Sequence, residues 1–313
     1  MAKRRVVITG LGTVNPLAWD VESFWQGLLD GRSGIDRIQR FDPSQFDSHI
    51  GGEVSPDWPG ISDELISRRE QKRLDRFAAF AVAASVEAVA ASGIDFDAED
   101  RARCGVVIGS GIGGLQELET QHERMLEKGP GKVSAFTVPK LMANAASGNV
   151  GILFGLRGHN SAAATACASA ANAIGDAFRL IQNDRLDVMV SGGSEAALTR
   201  IGLASFCALK ALSTRNDDPT RASRPFDKDR EGFVLAEGAG VIVLEDLDHA
   251  VRRGADILAE VVGYGSACDA YHITAPDPEG TGAAEALRLA LSDAGMDAAE
   301  VDYINAHGTG TQL

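Results

Sequence analysis

A chain of 313 residues, 44% of them apolar and 24% charged, can bury a large core as one domain or as two closely joined halves. Its formal net charge of −14 argues against nonspecific nucleic-acid binding and makes any cluster of cations conspicuous. No apolar run is long enough to span a bilayer and a strand-like segment begins at Arg5, so neither an anchor nor a leader is expected and a cytoplasmic protein is.

In chain order, apolar runs alternate with helical periods. A strand near 5–9 is followed by helices near 20–30 and 64–92, a strand near 104–109, a charged helix over 115–128, a helix near 167–182 and a strand near 187–191. Further strands are expected near 240–245 and 257–265, then a helix near 281–294 and a strand near 302–306. Such alternation argues for a layered α/β architecture. The stretch Ala84-Ser85-Val86-Glu87-Ala88-Val89-Ala90-Ala91-Ser92-Gly93 is similar to Ala286-Leu287-Arg288-Leu289-Ala290-Leu291-Ser292-Asp293-Ala294-Gly295. Each reads as a helix closed by a left-handed glycine cap and followed by a short acidic connection, an apolar strand and a glycine-rich turn. The pattern is common in α/β proteins and does not by itself establish a duplication.

The cations cluster at Arg68-Arg69-Glu70-Gln71-Lys72-Arg73, with Arg76 one turn further on. A solvated helix face and a docking surface both fit that run. The four cysteines, Cys104, Cys167, Cys207 and Cys268, lie far apart and share no regular spacing with the six histidines, so neither a metal site nor a disulfide framework is expected.

Cys167 stands out because Ala163-Ala164-Thr165-Ala166-Cys167-Ala168-Ser169-Ala170 reads as a small-residue strand turning directly into a helix. A thiolate at that place faces unpaired backbone N–H groups and the positive end of the helix dipole, which turns a thiol into a nucleophile. The ordinary alternative is a small buried core residue. A candidate partner is His307, in His307-Gly308-Thr309-Gly310-Thr311, because the fold can bring a remote histidine to a nucleophilic cysteine.

With their flanks, these residues resemble the β-ketoacyl-acyl-carrier-protein synthases, above all the type II elongating condensing enzymes of fatty-acid synthesis. The resemblance runs from Val6-Val7-Ile8-Thr9-Gly10-Leu11-Gly12 through Gly109-Ser110-Gly111-Ile112-Gly113-Gly114, the Thr165-Ala166-Cys167 elbow and Gly192-Gly193-Ser194-Glu195-Ala196. It continues in Ala211-Leu212-Ser213-Thr214-Arg215-Asn216-Asp217, Ser223-Arg224-Pro225-Phe226-Asp227, Glu231-Gly232-Phe233-Val234, Asp269-Ala270-Tyr271-His272 and the His307 segment.

The resemblance implies a thiolase-like fold of five alternating layers, α-β-α-β-α. It divides the chain into an N-terminal half over 1–257 and the start of a C-terminal half over 258–313, expected to be incomplete at Leu313. It also implies a decarboxylating Claisen condensation between an acyl-enzyme thioester on Cys167 and a malonyl group on acyl carrier protein. His307 is then expected to stabilise the enolate, Thr309, Thr311 and Thr274 to contact the phosphopantetheine arm, and Ile112 and Phe206 to line an apolar acyl pocket. Arg68, Arg69, Lys72, Arg73, Lys132 and Lys210 are expected to dock the acidic carrier protein, which brings the only prosthetic group. A homodimer is expected as well. The family's second catalytic histidine and its Gly-Phe-Gly-Gly turn match nothing in the sequence, so the 313 residues alone are expected to lose most condensation activity.

Two other readings compete. Gly109-Ser110-Gly111-Ile112-Gly113-Gly114 fits the GxGxxG pattern of a dinucleotide-binding oxidoreductase, but no second strand ending in an acidic residue follows at the required distance. A non-catalytic partner of the same fold would typically lack the cysteine that stands at 167. Thiolases and polyketide ketosynthases share the layered fold, and the compact N-terminus favours a discrete fatty-acid enzyme. The segment 224–234 reads as structural, a turn supporting the floor of the site.

Overall fold

The computed structural model describes residues 3–312; Met1, Ala2 and Leu313, the expected breaking point of the second half, lie outside them. The first half of the chain forms β1 (Val6–Val14), α1 (Val21–Leu29), β2 (Asp36–Arg37), β3 (Ile50–Gly51), α2 (Arg68–Gln71), α3 (Arg76–Ser92), β4 (Cys104–Gly109), α4 (Leu115–Lys128), α5 (Thr137–Leu141) and α6 (Ala145–Phe154). There follow β5 (Asn160–Ser161), α7 (Ser169–Gln182), β6 (Val188–Glu195), α8 (Arg200–Ala208), β7 (Gly238–Asp246), α9 (Leu247–Arg252), β8 (Ala259–Val261) and α10 (Thr281–Ala294).

Six strands make one mixed sheet in the order β5-β4-β6-β7-β1-β8, while β2 and β3 pair separately. Strands β5, β4 and β6 run parallel, and β7, β1 and β8 join them antiparallel. Side chains alternate between the faces, as a pleated strand requires. Val106 and Ile108 of β4 point into a core with Phe77, Phe80 and Ala84 of α3, whereas Val107 between them joins Phe178 and Ile181 of α7 on the other face. The sheet is therefore covered on both sides, by α3 with α6 and by α7.

Beyond α7 the chain begins a further pair of layers. The Tyr264 ring lies where a side chain on Gly175 of α7 would be, and α10 covers the opposite side of this segment, its Ala286 and Ala290 carbonyls against Gly265 and Gly263. Asp293 fastens the arrangement by accepting from Arg179 Nη1 (2.9 Å), Lys3 Nζ (3.0 Å) and the Tyr264 N–H (3.0 Å). The outer two layers are thus one extended segment and one helix, in line with the thiolase-like order.

The structure corrects three sequence expectations. The helix expected over 64–92 is two helices, because Ser67 caps α2 and Asp75 then starts α3 afresh, its carboxylate accepting from Phe77 N and Glu117 N. The strand expected near 257–265 pairs only over β8. The strand expected near 302–306 does not form: no described strand lies beside it, and a ladder needs a neighbour to take its backbone groups. Its apolar side chains stand in solvent, Tyr303 at 78% and Ile304 at 62% exposure.

Candidate active site

The path from β5 to α7 turns sharply. Ala166 sits in the left-handed region at φ 52°, unusual for a residue with a side chain, and the chain makes a 3-10 turn over Ala166–Ala168 before α7 begins at Ser169. Cys167 is therefore in the turn rather than in the helix, one residue earlier than the α7 cap. Ser169 locks this elbow: its Oγ accepts from Thr165 N (2.9 Å) and donates to the Ala166 carbonyl (2.6 Å). The first turn of α7 is drawn against the strand ends by two missing side chains. A Cβ on Gly193 would lie 2.6 Å from that of Ala170, and one on Gly109 would overlap the Ser169 carbonyl.

This geometry leaves the Cys167 thiol exposed, in contrast to Cys104, which is the buried core cysteine and whose thiol burial pushes up to about 12. Cys167 opens onto a cavity of about 1030 Å³. Ile112 and Phe206 line it, joined by Phe233, whose ring meets that of Phe206 edge-on with centroids 5.7 Å apart, and by Phe24 and Leu28 of α1. Its walls suit a hydrocarbon, and each methylene buried there contributes about 0.8 kcal/mol. Glu237 stiffens the cavity floor from a fully buried position, accepting from Arg76 Nε and Nη2, from Arg40 Nη1 and from Val54 N.

The remaining expected site residues are not among those lining this cavity. His307 is exposed on a turn whose neighbours are held by the 224–234 segment. Gly232 N donates to the Gly310 carbonyl (2.9 Å), and Arg230 donates to the carbonyls of Thr311 (2.7 Å) and Gln312 (3.2 Å). Thr309 and Thr311 share a hydroxyl hydrogen bond of 2.8 Å. Thr274 is exposed on a separate loop, its N–H donating to His272 Nδ1 at 3.2 Å.

The β-ketoacyl synthase N-terminal domain family matches residues 3–250 and the β-ketoacyl synthase C-terminal domain family residues 258–313. The chain belongs to the β-ketoacyl synthase family. Relatives named 3-oxoacyl-(acyl-carrier-protein) synthase 2 include one from Synechocystis sp., 50% identical, and one from Vibrio cholerae, 48% identical. Each match covers 99% of this chain and 74% of the relative. Among solved structures, a β-ketoacyl synthase from Burkholderia phymatum superposes with a TM-score of 0.87 at 35% identity, over 98% of this chain and 74% of that one. A ketosynthase structure described as a type II PKS acyl-carrier protein in complex with its ketosynthase bound to the hexaketide gives a TM-score of 0.89 at 33% identity, over 99% of this chain and 74% of that one.

The glycine-rich turn after β4 holds a carboxylate rather than standing open to a dinucleotide. The Glu195 carboxylate occupies the place a phosphate would need, accepting from Gly111 N (2.8 Å), Ile112 N (3.1 Å) and Ser110 Oγ (3.3 Å). Burial pushes the Glu195 carboxyl up, and those hydrogen bonds pull against it.

The cations expected from the sequence to dock a carrier lie in two places. Arg69 and Lys72 are exposed and form no ion pair among the described residues, whereas Arg68 reaches Asp63 at 2.5 Å. The Arg73 guanidinium stacks over the Phe136 ring at 4.6 Å, which ties this run to the stretch that carries exposed Lys132. Lys210 lies apart, just beyond α8, paired with Asp47 at 2.8 Å. Sequence reasoning missed Ser169, Arg230 and the internal role of Glu195. The signal for Glu195 was an acidic residue closing a run of otherwise apolar, glycine and serine residues.

Proposed function

We infer that this chain is a condensing enzyme of fatty-acid elongation in which Cys167 is the nucleophile. The observation that carries the reading is an exposed cysteine on a strained elbow at the mouth of an apolar cavity. Cys167 Sγ attacks the thioester carbonyl of an acyl group on the pantetheine arm of an acyl carrier protein; the C–S bond to the arm breaks and the arm leaves as a thiol. The Cys167 N–H donates to no acceptor among the described residues, which leaves it for the developing oxyanion. A malonyl thioester on a second carrier then loses carbon dioxide. The electron pair of that bond forms an enolate, which attacks the Cys167 thioester and releases the thiol with a chain two carbons longer.

His307 donates its ring N–H to the enolate oxygen, and Thr309, Thr311 and Thr274 take the arm. The paired hydroxyls of Thr309 and Thr311 support that assignment by presenting two polar groups on one face of the turn. The carrier docks on Arg68, Arg69, Lys72, Arg73 and Lys132, with Lys210 a further contact, and the arm it brings is the only prosthetic group the reaction needs. Arg69 and Lys72, which form no ion pair among the described residues, support an acidic partner on a chain of net charge −14.

The same reading divides the chain into halves at 1–257 and 258–313, supported by the like packing of Gly10 and Gly12 under α3 and of Gly263 and Gly265 under α10. It makes the protein a cytoplasmic homodimer. The free thiols support the first point, and exposed Ile152 on α6, the helix against edge strand β5, supports the second. The test is an intact-mass spectrum before and after incubation with an acyl-loaded carrier protein. An acyl-sized gain that disappears in Cys167→Ala is expected, and no gain in the wild type overturns the reading.

A further inference from the structure

We propose that Glu195 is a positioning residue for the acyl pocket, clamping the turn that carries Ile112. This rests on the condensing-enzyme reading and concerns how the pocket keeps its shape.

The turn over 110–114 has to present Ile112 to the cavity while passing the Cys167 elbow, and it carries four glycines in six residues from Gly109. Such a segment has a high conformational entropy and no side-chain packing of its own to hold it. Yet every amide in it has a partner. Ser110 N donates to the Ala163 carbonyl (3.0 Å) and Gly114 N to that of Leu141 (3.0 Å), which fixes the two ends. The middle is held by one unit: Gly111 N and Ile112 N both donate to Glu195 Oε2, Ser110 Oγ donates to Glu195 Oε1, and Gly113 N donates to Ser110 Oγ (3.1 Å).

The clamp and the nucleophile share a wall. A Cβ on Gly111 would lie 3.1 Å from Glu195 Oε2 and 3.5 Å from Ala166 Cα, so the turn is confined between the carboxylate and the elbow. Glu195 closes β6, two residues beyond the Gly193 that admits the first turn of α7. One strand end therefore seats both the turn that places Cys167 and the turn that places Ile112.

The clamp needs the one oxygen that accepts from both amides and a second polar atom against Ser110 Oγ, rather than a charge. A glutamine reproduces the clamp, its Oε1 accepting from both amides and its Nε2 donating to Ser110 Oγ. An alanine leaves three donors without partners and frees the turn. Ile112 then no longer forms a preset wall, which matters to a long acyl chain that must pass it and not to an acetyl group that stops at Cys167.

The experiment compares wild type, Glu195→Gln and Glu195→Ala in two ways. The first is the rate of acyl-adduct formation with tetradecanoyl against acetyl carrier protein, read by intact mass. The expected result is a long-to-short ratio about tenfold lower in Glu195→Ala and restored in Glu195→Gln, in the range a pocket contact supplies. A ratio unchanged in Glu195→Ala, or lowered equally in both variants, overturns the clamp. The second is amide hydrogen exchange. Exchange across 110–114 that quickens in Glu195→Ala alone, with β4 and β6 unchanged, upholds the clamp, and equal exchange in all three proteins overturns it. If the wild type takes up no acyl group from either donor, the condensing-enzyme reading falls while amide exchange still decides the clamp.

Discussion

Gly10 passes directly beneath the carbonyl oxygen of Ala88, with no room between them for a side chain. Gly12 stands in the same relation to Ala84, Gly263 to Ala290 and Gly265 to Ala286. These alanines occupy matching places in the two similar helices, so the likeness between them extends to the strand segment each helix covers. Gly10→Ala is expected to cost about 3 kcal/mol, as overpacking against backbone does, and to lower the urea midpoint without changing the slope. Gly263→Ala is expected to loosen α10 alone, seen as faster amide exchange over 281–294.

Gly193→Ala is expected to slow acyl transfer without unfolding the protein. The new Cβ meets Ala170 at 2.6 Å and pushes the first turn of α7, with Cys167 before it, away from the strand ends. A displacement of about 1 Å at a nucleophile costs about 100-fold in rate. Stopped-flow acylation with an acyl carrier protein measures it, and circular dichroism is expected to match the wild type.

Stability is expected to vary with pH through the cluster at the end of β7. Burial pushes the Glu245 carboxyl up, but Arg253, His249 and Thr9 all donate to it and hold it at about 2. His249 is raised, first by Glu245 and also by Glu99, which faces its other ring nitrogen at 2.9 Å. The glutamate's contribution is present above its ordinary value of 4.5 and is lost as pH falls towards about 2. The histidine's contribution is complete below 6.5 and is lost as pH rises through the raised value. The cluster therefore stabilises most between those ranges. Urea midpoints from pH 4 to 9 are expected to fall on the alkaline side, and His249→Gln is expected to flatten that fall.

Carrier docking is expected to follow charge. In the double variant Arg69→Glu with Lys72→Glu, the association rate with an acidic carrier drops while the cavity is untouched. The wild-type rate is expected to fall steeply as salt shortens the screening length to about 8 Å at physiological ionic strength, and that of the variant to respond much less. Surface plasmon resonance at several salt concentrations reads both.

Much of this was legible in the residues. The charged helix over 115–128 and the helix at 281–294 fall where periodicity put them, because each has a glycine at both ends. The elbow was legible as a run of small residues around Cys167, but its left-handed residue is Ala166, where sequence offers no glycine to announce it. The break before α3 was hidden because the helical period continues through Asp75, and only a capping carboxylate marks it. The 302–306 segment shows the opposite limit. Its apolar pattern is that of a strand, yet pattern specifies which faces are buried and not whether a neighbour is present to pair with.

The sheet order has a consequence for the moment of synthesis. Val6 lies between Asp246 on one side and Val261 on the other, so the first strand made is among the last to be enclosed. At a ribosomal rate of about 5–20 residues per second, the unpaired N–H and C=O groups along its edges wait on the order of 10–50 s for the strands that pair with them. Throughout that interval the nascent chain offers an open strand template, and its safe passage depends on helices such as α3 folding over Gly10 and Gly12 before another chain does.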